Sequence, residues 1–257
     1  MSGDNFIHIG GQGKAAYTVY YLSEQAVTMQ FGNDINTGTL QRVKRYHALI
    51  EANPFPGFYA AVPAYATLSI FYNPVEVMQS PELSGADCIN RLTAYLKSLD
   101  DVNVAEPSTC GTTVNIPVCY GGKFGPDLSE VAAVNGLSEQ QVIQLHNEAV
   151  YTVYMIGFVP GFAYLGGMNS LLATPRKQQP RVAVPAGAVG IGGNQTGVYP
   201  LATPGGWQLI GQTPLQLFDA ASEQPSLLKA GDTVVFKPIS ADEFNNYLIT
   251  GNAAAYN

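Results

Sequence analysis

Apolar positions along the chain change their repeat several times, and each change predicts an element. Tyr17 to Leu22 reads as a strand, and Ala26 to Phe31 places Val27, Met29 and Phe31 on one face at strand period. Gly32, Asn33 and Asp34 end that run. From Thr37 to Ala52 the spacing becomes helical, with Leu40, Val43, His47 and Ile50 near one face, until Asn53-Pro-Phe-Pro-Gly57 breaks it. Phe58 to Ala64 and Thr67 to Tyr72 are strands, closed by Asn73-Pro74. Gly85 to Leu99 is a helix in which Cys88, Leu92, Tyr95, Leu96 and Leu99 recur every three or four residues, so Cys88 is read as core. This alternation predicts a small α+β sandwich, for which a ferredoxin-like arrangement is one fit.

The polar link Asp100 to Thr112 is the expected boundary, and the pattern changes beyond it. The expected layout is an extension over 1–16, the sandwich over 17–105 and a β-barrel domain over 106–257. Val114 to Tyr120 is a strand, with Pro117 suggesting an edge. Two short helices follow. The first spans Leu128 to Val134, with Asp127 as its cap and Asn135-Gly136 as its stop. The second spans Glu139 to Ala149, with Ser138 and Gln141 forming a capping box. Val150 to Ile156 is strand-like. From Gly157 to Ile239 short strands alternate with tight turns, and Leu228 to Phe236 leads into a closing strand.

Composition narrows the function classes. Hydrophobic residues make up 46% of the 257 positions, enough for well-formed cores, while charged residues make up only 12%, against a usual quarter or so. A surface so poor in charge is either neutral and polar or covered by a permanent partner. The net charge of −7, with no cluster of Lys and Arg, argues against nucleic acid and anionic membranes as partners. No apolar run is long enough to span a bilayer, and Met1 to Gly13 lacks a secretory pattern, so a cytoplasmic location is expected. Cys88, Cys110 and Cys119 are odd in number and lack C-x-x-C spacing, which suits reduced thiols. With three scattered histidines, no metal site can be assembled.

Candidate chemistry concentrates between Gly157 and Trp207, where Gly and Pro recur every few residues between aromatics, arginines and amides. Rigid loops of this kind suit a small-molecule pocket, although an ordinary β-rich core with tight corners has the same composition. Phe158, Phe162, Tyr164, Tyr199 and Trp207 are its candidate walls, with Pro160, Gly161, Gly205 and Gly206 shaping the loops. Arg176 and Arg181 each follow a proline, and a guanidinium binds carboxylate or phosphate through two bonds; salt-bridged surface arginines are the alternative. His146 is either a core histidine or an acid–base group, and Gln195 could hydrogen-bond an amide. Gly192-Gly-Asn-Gln-Thr-Gly197 lacks the G-x-x-x-x-G-K-[S/T] pattern, and is either an anion nest or a hairpin turn. No serine elbow, Ser/His/Asp set or nicotinamide fingerprint appears.

Taken in order, G-F-V-P-G-F-A-Y, the two Pro-Arg pairs, V-P-A-G-A-V, N-Q-T-G-V-Y-P, P-G-G-W and I-G-Q-T-P resemble one family. It contains the B subunit of bacterial ATP-dependent 5-oxoprolinase, the kinase inhibitor KipI and subunit 1 of allophanate hydrolase. The resemblance is dense over about 112–240 and weaker back to about residue 20. It implies a cyclophilin-like barrel and a role in ATP-driven opening of 5-oxoproline to glutamate. It implies that activation is shared with a C-type partner, similar to subunit 2 of allophanate hydrolase, and that a separate A-type partner performs hydrolysis. ATP would then be bound in the complex, and the chain would be inactive alone. It also implies site roles for His146, Arg176, Arg181 and Gln195, with the aromatic and glycine positions binding substrate. A carboxyltransferase-type subunit related to urea carboxylase and a KipI-like inhibitor of a histidine kinase are the alternatives. The family pattern has serine where this chain has Thr203, which keeps the hydroxyl. Gln212 replaces an arginine, which removes a potential anion contact.

Overall fold

A computed structural model of the chain describes residues 6–9, 17–33, 36–100, 102 and 111–250. The expected 1–16 extension, the 100–112 link and Cys110 fall wholly or mostly outside these residues. The chain divides into two compact units, residues 1–109 and 110–257.

The first unit is built from β1 (Phe6–Ile9), β2 (Tyr17–Ser23), β3 (Ala26–Gln30), α1 (Thr37–Ala52), β4 (Phe58–Pro63), β5 (Thr67–Tyr72), α2 (Pro74–Gln79) and α3 (Cys88–Ser98). Its sheet is antiparallel in the order β1-β2-β3-β5-β4. Strand period turns Val27, Met29, Leu68, Ile70 and Tyr72 to one face. There they bury against Val43, Tyr46 and Ile50 of α1 and Leu92 and Leu96 of α3. The α1 helix starts where Asn36 accepts from the Thr39 N–H at 2.9 Å. Asn73-Pro74, which reads as a stop, instead starts the short α2: Asn73 caps the helix and Pro74 occupies its first turn.

The second unit begins with β6 (Thr113–Tyr120), α4 (Leu128–Asn135), α5 (Glu139–Glu148), β7 (Tyr151–Ile156) and β8 (Ala163–Gly166). It continues with β9 (Arg181–Val184), β10 (Ala188–Gly192), β11 (Gln195–Val198), β12 (Thr203–Gly205), β13 (Gln208–Gln212), β14 (Thr233–Pro238) and α6 (Ala241–Thr250). Seven strands close a barrel in the order β10-β11-β8-β7-β14-β6-β13, and β9 and β12 form a separate two-stranded ribbon. The mixed α/β class with a closed barrel is as expected. Alternate residues fill the barrel, among them Ile116, Val118, Val153, Leu165, Val189, Ile191, Val198, Val234 and Phe236, and the helices add Leu128, Val131 and Val142. The Ser138–Gln141 capping box forms, and α4 stops at Gly136 with φ 66°.

Two local expectations change. β6 is an inner strand, parallel to β14 along its length, but β13 pairs with it only at Cys119 and Tyr120, so Pro117 still has one bonded neighbour. Asp127 precedes α4 without capping it, because its carboxylate is engaged elsewhere. Beyond the closing strand the chain adds α6, and Ser240 and Glu243 bond reciprocally at its start. Among the described residues no helix is long and apolar enough to cross a membrane, and no group of three His, Cys, Asp or Glu is placed to hold a metal. Cys88 is half-buried and Cys119 buried, and burial pushes both thiols up, away from the reactive thiolate.

Candidate functional site

A cavity of about 300 Å³ opens on the second unit beside the ribbon. One wall comes from the β7–β8 connection and β8, which supply Phe158, Phe162 and Tyr164. The opposing loops supply Tyr199 and Trp207, and the ribbon contributes Pro204 and Gly205. The rings meet edge to face: Phe162 lies 5.2 Å from Tyr199 at 80° and 5.5 Å from Trp207 at 86°. That arrangement sets the positive ring edge against the negative face. Glycines make room for it. A Cβ on Gly192 would come within 2.6 Å of the Trp207 ring, and one on Gly205 within 2.5 Å of the Tyr199 hydroxyl. The repeated glycines of this stretch thus let the backbone approach the aromatic rings.

Arg176 supplies the cationic edge. Its guanidinium lies 5.6 Å from the centre of the Trp207 ring, and it is exposed and lines the cavity. No carboxylate pairs with it among the described residues. Burial raises the Tyr164 phenol and the charge of Arg176 pulls it back, so that charge acts within the cavity.

Arg181 is placed differently. Its Nη2 donates to Asp127 Oδ1 at 2.6 Å, and Nη1 reaches the Trp207 carbonyl at 3.5 Å. Lys177 bridges Asp127 at 3.0 Å and Glu130 at 2.7 Å. The other oxygen of Asp127 accepts the Leu209 N–H at 2.7 Å. Burial alone would raise the Asp127 carboxyl, but the Arg181 bond, the Leu209 N–H and Lys177 outweigh it and hold the group below its ordinary value. This network fixes the 175–181 loop to α4 and β13. Lys177 N–H also donates to the Gly206 carbonyl at 2.7 Å, joining the loop to the residue before Trp207.

His146, in the last turn of α5, is fully buried and stacked on Phe236 at 4.5 Å. Thr196 donates its hydroxyl proton to the Gly190 carbonyl at 3.0 Å, so His146 Nε2–H must donate to Thr196 Oγ1, also at 3.0 Å. Nδ1 then accepts from the Tyr120 hydroxyl at 2.8 Å. Both ring nitrogens are satisfied in the neutral form, and burial lowers the pKa to about 3. That environment keeps His146 from exchanging protons with a ligand in the cavity.

Of the sequence candidates, the structure brings together Phe158, Phe162, Tyr164, Arg176, Tyr199, Gly205, Gly206 and Trp207. His146, Arg181 and Gln195 do not line the cavity. Gln195 opens β11 opposite Gly192, so Gly193 and Asn194 form a two-residue hairpin turn. The Gly193 N–H donates to the Thr174 carbonyl at 2.8 Å, so this glycine-rich run is a turn and does not cradle an anion there. Pro160 and Gly161 shape the β7–β8 connection. Lys177, Pro180 and Pro204 line the cavity without having been singled out, although two of them flank the chosen arginines.

The model for the carboxyltransferase domain, subdomain C and D, matches residues 17–228. A protein named as the B subunit of 5-oxoprolinase, from Bacillus subtilis (strain 168), is 45% identical over 238 residues, covering 90% of this chain and 96% of that protein. The crystal structure of TTHA0988 superposes with a TM-score of 0.71 at 36% identity, over 84% of this chain and 40% of that one. The K. lactis urea amidolyase superposes with a TM-score of 0.72 at 17% identity, over 93% of this chain and 16% of that one, a likeness of fold alone. In both solved structures the matched region is one part of a longer chain.

Proposed function

This chain belongs to the carboxyltransferase subdomain C and D family, and from that membership we propose that it is the B subunit of an ATP-dependent 5-oxoprolinase. The observation that carries the reading is the 45% identity, sustained over 96% of a protein of that name. The reaction converts 5-oxoproline, ATP and water to glutamate, ADP and phosphate. A lactam carbonyl is a weak electrophile, and ATP supplies the activation. In this reading Arg176 takes the substrate carboxylate and the aromatic walls hold the ring. At about 300 Å³ the cavity lies at the small end of ligand sites, which run to roughly 1,000 Å³. It suits a five-membered lactam, and in this reading ATP is bound in the complex with a C-type partner. The relative's name as one subunit of an enzyme supports a partner, as does the longer chain of TTHA0988.

Two results are expected. The purified chain alone gives no ATP-dependent glutamate from 5-oxoproline, whereas the chain co-expressed with its C-type and A-type partners does; turnover by the single chain would refute the division of labour. In the active complex, Arg176→Ala raises KM for 5-oxoproline by roughly 10–100-fold with kcat less affected, because a charge-assisted hydrogen bond contributes about 1.5–3 kcal/mol. Unchanged KM would remove Arg176 from the site. The family description favours one other reading, a carboxyltransferase-type subunit, and transfer of the carboxyl group of carboxybiotin to an amide substrate would distinguish it.

A further inference from the structure

Residues 175–177 belong to no helix or strand, yet the Arg176 guanidinium lies over the Trp207 ring at 5.6 Å. Bonds from outside this stretch must aim it. A side chain leaves the backbone in a direction set by φ and ψ at its own residue. Those angles are fixed once the planar peptides on both sides are held.

Both peptides are held, and both by neighbours of Trp207. After Arg176, the Lys177 N–H donates to the Gly206 carbonyl at 2.7 Å. Before it, the Pro175 carbonyl accepts from Gln208 Nε2 at 3.1 Å. Gly206 and Gln208 flank Trp207 in sequence, so the two ties set Arg176 against the ring. The first joins backbone to backbone. The second depends on a single side chain.

Gln208 opens β13, is 4% exposed and does not line the cavity. Its amide nitrogen also donates to Glu130 Oε1 at 3.3 Å. Both groups facing that nitrogen are acceptors, which fixes the orientation of the amide. The amide oxygen is then buried with no partner among the described residues. An apolar side chain of the same length would avoid that cost, so stability alone does not account for a glutamine here.

We propose that Gln208 is a positioning residue: by holding the Pro175 carbonyl it aims the Arg176 guanidinium over Trp207 and into the cavity. That this guanidinium receives the carboxylate of 5-oxoproline rests on the proposed function. The aiming rests only on the bonds to either side of Arg176.

Gln208→Met keeps the length and removes the donor, and ionised Gln208→Glu does so with the shape kept. The side-chain N–H signal of Arg176 is followed by NMR of the full chain and identified by its loss in Arg176→Lys. Shielding by the Trp207 ring moves that signal upfield. Both Gln208 variants are expected to return it toward the position of a free arginine. The thermal midpoint of Gln208→Met stays level or rises, because the unpaired oxygen goes with the donor and the released acceptors sit on the exposed residues Pro175 and Glu130. In the active complex, Gln208→Met is expected to raise KM for 5-oxoproline roughly tenfold with kcat less affected, and to raise it no further once Arg176 is alanine. An unmoved Arg176 signal in the variants overturns the proposal, as does an equal rise in KM with and without Arg176. A wild-type KM in Gln208→Met also overturns it where Arg176→Ala raises KM. A moved signal with KM indifferent to both residues upholds the aiming and removes the reading of Arg176 as the carboxylate contact.

Discussion

Asp127→Ala is expected to lower the unfolding free energy by about 3 kcal/mol at pH 7, because it strips Arg181 and the Leu209 N–H of their shared carboxylate and leaves Lys177 with Glu130 alone. Asp127 is 4% exposed and receives Arg181, Lys177 and the Leu209 N–H. Removing one partner of a buried pair costs about 3–5 kcal/mol. The lower figure applies because the side chains of Lys177 and Arg181 keep 21% and 27% of their surface in water. Asp127→Asn retains an acceptor for Leu209 but loses the charge, so it should fall between alanine and wild type. Urea unfolding followed by circular dichroism measures both variants. A loss below about 1 kcal/mol for the alanine variant would mean that solvent already screens the network.

Acidification is the second large effect. His146 is neutral in the fold, with its pKa lowered to about 3 by burial, whereas in the unfolded chain it protonates near 6.5. Between these values the unfolded state binds the extra proton, so stability falls as pH falls. The slope is about 1.4 kcal/mol per pH unit from this group. Asp127 acts in a separate window. Its folded pKa is depressed below 3.8, so its contribution is full above that value and is lost as pH drops through the folded one. His146→Gln should flatten the dependence between about pH 6.5 and 4.5 by one proton's slope. Parallel curves for wild type and variant, from unfolding free energies measured over that range, would show that His146 does not carry the effect.

Local signals in the sequence were legible where their causes are local. Thr37–Ala52 shows helical spacing and is followed by a Pro-rich break, and Ser138 with Gln141 caps α5 through bonds three residues long. The aromatic wall was legible in part, because Phe158 through Trp207 lie among glycines, some of which, such as Gly192 and Gly205, leave room for the rings while others, such as Gly193, serve turns. Partnerships across the chain were not. Asp127 has the spacing of a helix cap, and nothing within four residues shows that Arg181, 54 positions away, takes its carboxylate. His146 carries no local mark of burial: Tyr120 and Thr196 satisfy its ring from 26 and 50 positions away. The Pro-Arg pairs look alike in sequence, and only the position of Asp127 makes one arginine structural and leaves the other facing the cavity.

The seam of the barrel bears on how the chain is made. β6 at the start of the second unit pairs in parallel with β14 near its end, Thr113 opposite Thr233. Because about 120 residues separate these partners, closure pairs strands of high sequence separation, the kind of contact that slows folding. During synthesis β6 leaves the ribosome first and must wait for nearly the whole unit before β14 arrives. Until then its apolar residues Ile116 and Val118 lack the strand that flanks them for most of their length. A chaperone that shields this waiting strand, or slower growth at low temperature during expression, should therefore raise the yield of soluble chain more than any change at the cavity.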